Sequence, residues 1–423
     1  MKLPRWLHRF LDRLLPPRPR KKAQATPPVT EHITDSGYYR EISHRYTSVQ
    51  VVLLMTLAVF VGVSLIRNAE AMSVDQLVYF IKDIGNSMEM GERAASGTLV
   101  YSADDSNCFG LYRRGLTVLG KNKMTIFTAT GRESYSEAVS FVNPRVVGDG
   151  RYLLAYDLGQ KEYRLYNSFT CLRKETTTSP IRGASVSATG YYCLITDGDV
   201  HTSEVTLYNS SFHMINRYRF QEYTVCAALR EDGGKLATAS VFSDGGVLVT
   251  RIMVATPGKD KEDASWDCSD LYPVSLSFSD DGNVMLLSTD GFYVYSAEGK
   301  LLSKQHFFAD EVLFHRLSAD GCVLFEKANF YDEKILVRAF DKSGQMLYNI
   351  TCEGAVEDAL LTGETLLILR EDGIFLCDSK TPEGREIPLA GTYTHLMGLD
   401  SSDVYACGTA KAIRISAAQL EGK

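Results

Sequence analysis

Few side chains in this 423-residue sequence stand at spacings that could do chemistry. Asp197, Asp199 and His201 alternate along TDGDVHTSE (196–204), which could turn three oxygen or nitrogen ligands toward one cation. A cation site draws further ligands from neighbouring loops, and the same residues read equally as a solvated hairpin loop. Phe330 and Tyr331, in ANFYDEK (328–334), are aromatic candidates for gripping a partner protein. Trp266 sits in ATPGKDKEDASWDC (255–268), either as a contact on an inserted loop or on an outer strand packing inward. No catalytic spacing such as H-E-x-x-H, G-x-S-x-G or G-x-x-x-x-G-K-[ST] occurs, and no EF-hand loop. The nine cysteines include no C-x-x-C pair; several lie in apolar runs such as Tyr192-Cys193-Leu194-Ile195, as buried free thiols do. The residues thus designate no catalytic group, metal ligand set or cofactor.

The elements that must position these side chains repeat along the chain. From Thr98 to about Leu420, an apolar strand follows a polar Gly or Asp turn, then come a loop, a strand ending in aromatic or apolar residues, and a more polar strand. Final members of the first turns, Gly150, Gly190, Gly233, Gly282, Gly321, Gly363 and Asp403, stand 40, 43, 49, 39, 42 and 40 residues apart. Four strands in about 40 residues is the period of a β-propeller blade. The last unit, from Tyr393, supplies three strands, and Thr98–Ser102 is an orphan strand ahead of the first full unit. Pairing the two closes the ring and removes two exposed sheet edges. The expectation is an all-β, eight-bladed propeller with a shared closing blade, seven blades being the alternative. Strand alternation puts the Asp-Gly turns on one face. The loops at 196–204 and 328–334 then lie on the other, and the extra length of the 49-residue unit is expected near 255–268, on the Asp-Gly face.

Ahead of the repeats, residues 49–66 (VQVVLLMTLAVFVGVSLI) carry no formal charge, and with Thr47 and Ser48 they form a 20-residue run. At 1.5 Å per residue a helix of roughly 20 residues crosses a bilayer core. Residues 1–50 hold ten Lys/Arg against four Asp/Glu, while the remainder carries 35 against 48. Basic residues before the run favour a cytoplasmic N-terminus and an extracellular propeller. The acidic remainder argues against nucleic acid, which needs a basic face. The expected order is a basic cytoplasmic tail (1–46), a transmembrane helix (47–66), a juxtamembrane helix and linker (67–97) and the propeller (98–420). Within the tail, MKLPRWLHRFLDRLL sets Trp6, Leu7, Phe10 and Leu11 against Arg5, Arg9 and Arg13. Residues 1–15 could therefore lie on an anionic inner leaflet or dock on a partner. Within 67–97, Val74, Leu77, Val78, Ile81 and Ile84 form a helical stripe.

The turns Ser279-Asp280-Asp281-Gly282 and Ser318-Ala319-Asp320-Gly321 resemble those of WD40-like and TolB-like propellers. The whole pattern of basic tail, single anchor and propeller resembles an uncharacterised bacterial family, frequent among clostridial-type organisms, with a WD40-like or quinoprotein-like propeller. That resemblance implies the fold and no catalytic residue. Trp266 is the only tryptophan after the apolar run, which leaves none of the per-blade Trp motifs of quinone-binding propellers. The expected function is a membrane-anchored, extracytoplasmic and non-enzymatic binding or scaffolding module for envelope proteins or cell-wall glycans. A propeller hydrolase or lyase with carboxylates at the channel mouth is one alternative, and a sensor signalling through the basic tail is another.

Overall fold

A computed structural model describes residues 46, 49–56, 59 and 97–420, apart from 113–114, 150, 168–169, 308–311, 328–333, 379–380, 382, 401–402 and 417–418. Residues 97–420 fold into eight four-stranded antiparallel sheets. Seven of them use consecutive strands: blades 1 (108–138), 2 (144–176), 3 (181–220), 4 (223–269), 5 (273–306), 6 (312–352) and 7 (356–388). Blade 8 takes three strands from residues 395–416 and its outermost one from Thr98–Val100. Thr98 pairs with Ile413, Leu99 with Ala412 and Val100 with Lys411, so the orphan strand closes the ring as expected.

Burial explains the repeat. Second and third strands are covered on both faces by neighbouring blades, and read as unbroken apolar runs such as Val284–Ser288 and Gly291–Tyr295. Outermost strands alternate between half-buried and exposed, as in Glu262–Ser269. Eight apolar clusters fill the spaces between successive blades, the last joining blade 8 to blade 1 through Leu99, Leu116, Tyr405 and Ala412. A core at every junction leaves no free blade face at the seam.

The Asp-Gly turns behave as hairpin turns. Gly282 takes φ 81°, which a side chain rarely tolerates, while its N–H donates to the Ser279 carbonyl at 2.8 Å. The extra length of blade 4 is not near 255–268. It lies in two nine-residue strands, Leu236–Asp244 and Val247–Ala255, whose hairpin projects on the opposite face. Trp266 is on the outermost strand of blade 4 and packs inward, 5.4 Å from the Tyr295 ring. All nine cysteines are free, five of them buried.

Residues 49–56 are helical, with Val49, Val52, Leu53, Leu54 and Met55 all more than half exposed. Among the described residues no helix is long and apolar enough to cross a membrane, so the full span expected at 47–66 is not seen. The rest of that run, the tail at 1–45 and the stripe at 74–84 lie outside the described residues.

Candidate functional site: the channel and its crossover mouth

All eight innermost strands run in the same direction along a central channel, because each blade begins at the centre and ends at the rim. Their C-terminal ends meet the Asp-Gly turns, here called the turn face. Their N-terminal ends meet the blade-to-blade connections and the second hairpin loops, here called the crossover face.

Toward the turn face, a cavity of about 440 Å³ is lined mainly by small and apolar residues of blades 2 to 6, including Gly148, Ala184, Ser185, Ala227, Ser275 and Ser277, together with the carboxylate of Glu231. Small side chains let inner strands approach across the ring, and Glu231 alone among these lining residues carries a charge.

The crossover mouth differs because of a recurring irregularity. In blades 3 to 7 the inner strand carries a register shift at its second or third residue: Arg182, Val225, Val274, Leu313 and Glu357. A bulge sets one extra residue against the partner strand and re-aims its side chain. Arg182, Leu313 and Glu357 are exposed there.

Blades 6, 7 and 8 are clasped at this mouth. The Arg316 Nη2 lies 2.9 Å from Asp358 Oδ2, and its Nη1 donates to the carbonyls of Ala359 (2.9 Å) and Leu396 (3.0 Å). Asp358, 1% exposed, also accepts from the Leu396 N–H at 2.7 Å and from the Ala359 N–H at 2.8 Å. Burial raises the Asp358 carboxyl above the usual carboxylate range, opposed by Arg316 and both N–H groups. Each of its oxygens already has a donor, so the group works as a fastener rather than as an open acid or base. Burial also pushes the imidazoles of His315 and His395 below their usual range. Both therefore stand neutral at pH 7.

The residues singled out by spacing do not converge. Asp197 is held by the Arg182 guanidinium at 2.9 and 2.8 Å, and the His201 Nδ1 lies 3.0 Å from Gln221 Nε2. Asp199 is exposed. No group of three His, Cys, Asp or Glu among the described residues is placed to hold a metal ion. Phe330 and Tyr331 lie outside the described residues. A groove of about 620 Å³ between the outer strands of blades 3 and 4 includes Tyr218, Arg219, Arg251 and Trp266. Its Arg251 is taken by Asp267 at 2.8 and 2.9 Å and by Glu222 at 2.6 Å.

Spacing alone missed the exposed apolar side chains on the crossover face. Val142, Val200, Tyr223, Leu248, Tyr272 and Leu313 are all between 38% and 83% exposed. They come from crossovers, bulges and second hairpin loops of blades 2 to 6, so they form an arc on one side of the ring. On the opposite face the described first turns carry no exposed large apolar residue, while Met214, Leu301, Leu302 and Met346 are exposed beside the third hairpin loops at the rim. Large apolar residues placed in two-residue crossovers, as in Gln221-Glu222-Tyr223, were the available signal.

A family model described as "Family of unknown function (DUF5711)" matches residues 95–386. No curated protein matches the chain. Similar solved structures include BamB from Moraxella catarrhalis, 10% identical, covering 76% of this chain and 99% of that one with a TM-score of 0.48. Another is Hsv2 from Kluyveromyces marxianus, 12% identical, covering 65% and 92% with a TM-score of 0.45. A third is described as a eukaryotic initiation factor, 11% identical, covering 76% and 85% with a TM-score of 0.49.

Proposed function

The chain belongs to DUF5711, a family of unknown function, and we propose that its propeller is a binding and scaffolding module tethered to a membrane by residues 47–66. The observation that carries the binding reading is the arc of six exposed apolar side chains that blades 2 to 6 place on the crossover face, against Met214, Leu301, Leu302 and Met346 at the rim of the turn face. Exposed apolar side chains gathered into a patch mark a surface that a partner covers. The all-β ring supplies what a scaffold needs, since each blade is locked by cores on both of its faces and the loops stand on rigid strands.

The tether rests on two features. Residues 49–66 hold no charge over 18 positions, and the helical stretch 49–56 presents its apolar side chains uncovered, a costly arrangement in water. The basic balance of residues 1–50 against the acidic remainder sets the tail on the cytoplasmic side and the propeller outside. The partner is an envelope protein or a cell-wall glycan within reach of the membrane surface.

Protease treatment of intact cells stripped of their wall tests the location. The propeller should be digested or released while a membrane fragment carrying residues 1–46 survives, and a cytosolic marker should stay intact. Survival of the whole chain until the membrane is permeabilised would overturn the outside placement. Release of the untreated chain by carbonate would overturn the spanning tether.

A further inference from the structure

We propose that the blade 3 to blade 5 sector of the crossover face docks a cationic segment of a partner protein, held by apolar anchors between its basic residues. This rests on the binding reading and names the chemistry of the partner.

Four exposed apolar side chains stand in this sector: Val200 at 83%, Tyr223 at 40%, Leu248 at 38% and Tyr272 at 40%. Three have an exposed carboxylate close by in the chain: Asp199 beside Val200, Asp244 at the hairpin tip that carries Leu248, and Asp270 two residues before Tyr272. No basic side chain among the described residues neutralises these three. The nearby arginines are already committed, Arg182 to Asp197, Arg251 to Glu222 and Asp267, and Arg217 and Arg219 together to Glu204. The sector therefore offers apolar contacts beside three carboxylates that no cation pairs.

Its loops are stitched into one surface. Thr202 Oγ1 donates to the Gln221 carbonyl at 2.6 Å and Ser203 Oγ to the Glu222 carbonyl at 2.9 Å, tying the blade 3 loop to the crossover that leads into Tyr223. The Asp270 N–H donates to the Leu248 carbonyl at 2.8 Å, and the Thr289 N–H to the Tyr272 carbonyl at 3.0 Å. These bonds join the long blade 4 hairpin to the next crossover and that crossover to blade 5, so a ligand would meet anchors already in place.

Charge selects the occupant. A bilayer rich in anionic lipid would be repelled by Asp199, Asp244 and Asp270, and a second copy would bring the same carboxylates against them. A Lys- or Arg-bearing segment with aliphatic or aromatic side chains satisfies both features, with its approach steered by the field and weakened by salt.

The test uses the full-length chain in detergent. The probes are a fluorescent peptide alternating Lys and Leu and its Glu and Leu counterpart. The Lys peptide should bind with an affinity that falls steeply with salt, and the Glu peptide should not bind. The triple variant Asp199→Asn, Asp244→Asn, Asp270→Asn should weaken the Lys peptide at least tenfold and flatten its salt dependence. Asparagine tolerates the positive φ of Asp270 (57°), so the fold is kept, with an unchanged melt as the check. A turn-face triple, Asp281→Asn, Glu298→Gln, Glu364→Gln, controls for net charge and should change binding less than twofold. Equal weakening by both triples, or binding of the Glu peptide, would overturn the proposal. Cross-links formed in cells from Tyr223 without Lys-peptide binding would sink the cationic assignment and spare the binding reading. Absence of both would sink the two together.

Discussion

Replacing Asp358 by alanine should cost the propeller about 3–5 kcal/mol, the range for removing one partner of a buried ion pair. Asp358 is 1% exposed, and its loss strands the Leu396 N–H and leaves the Arg316 guanidinium, 23% exposed, without its counter-charge. Because Arg316 also bonds the carbonyls of Ala359 and Leu396, three blades loosen together at one end of the channel. The loss should appear as a lower denaturant midpoint in far-UV circular dichroism. A paired substitution, Asp358→Leu with Arg316→Met, should recover much of it, since an apolar pair leaves no charge to desolvate. A midpoint shift worth under about 1 kcal/mol in the single variant would mean that the clasp does not hold the blades.

A larger effect is expected where the ring closes. Leu99 is 5% exposed within a cluster that includes Leu116 and Val118 of blade 1 and Tyr405, Cys407 and Ala412 of blade 8. Leu99→Asp removes that packing and buries an unpaired carboxylate, a combination worth roughly 4 kcal/mol or more. It should also free the edge of the strand Lys411–Ser416, which then templates association between molecules. Light scattering on warming should rise well before that of the native chain. Val100→Asp, one residue on and 73% exposed, should leave the melt within about 0.5 kcal/mol of native. Equal behaviour of the two variants would show that Thr98–Val100 does not seal the seam.

Much of the fold was legible because a propeller is written locally. Each blade announces itself by a turn and an apolar strand, so the spacing of Gly190, Gly233 and Gly282 counts blades without any long-range information. The closing strand was legible for a related reason, since three strands after Tyr393 require a fourth and Thr98–Val100 lay unclaimed. What failed was the location of the blade 4 insertion. The charged run at 255–268 drew attention, yet the extra residues extend an alternating hairpin that looks like ordinary strand. Trp266 followed its alternation inward, as one of its two readings held.

The site was far less legible. Alternate spacing of Asp197, Asp199 and His201 suggested shared ligation, but Arg182 on the adjacent strand takes Asp197 first. Nothing within ten residues of Arg316 points to Asp358, because their meeting depends on how blades 6 and 7 pack. The bulges that expose Arg182, Leu313 and Glu357 at one mouth depend likewise on strand register. The apolar arc is assembled from single residues at six separate places along the chain, each unremarkable alone.

The central claim is that this propeller binds its partner through the crossover face. A photo-cross-linking residue placed in the full-length chain within its own cells tests it most directly, at Tyr272 on the crossover face and at Glu298 on the turn face. The account predicts a discrete cross-linked species from Tyr272 and none from Glu298. Cross-links from Glu298 alone, or from neither position, would contradict it.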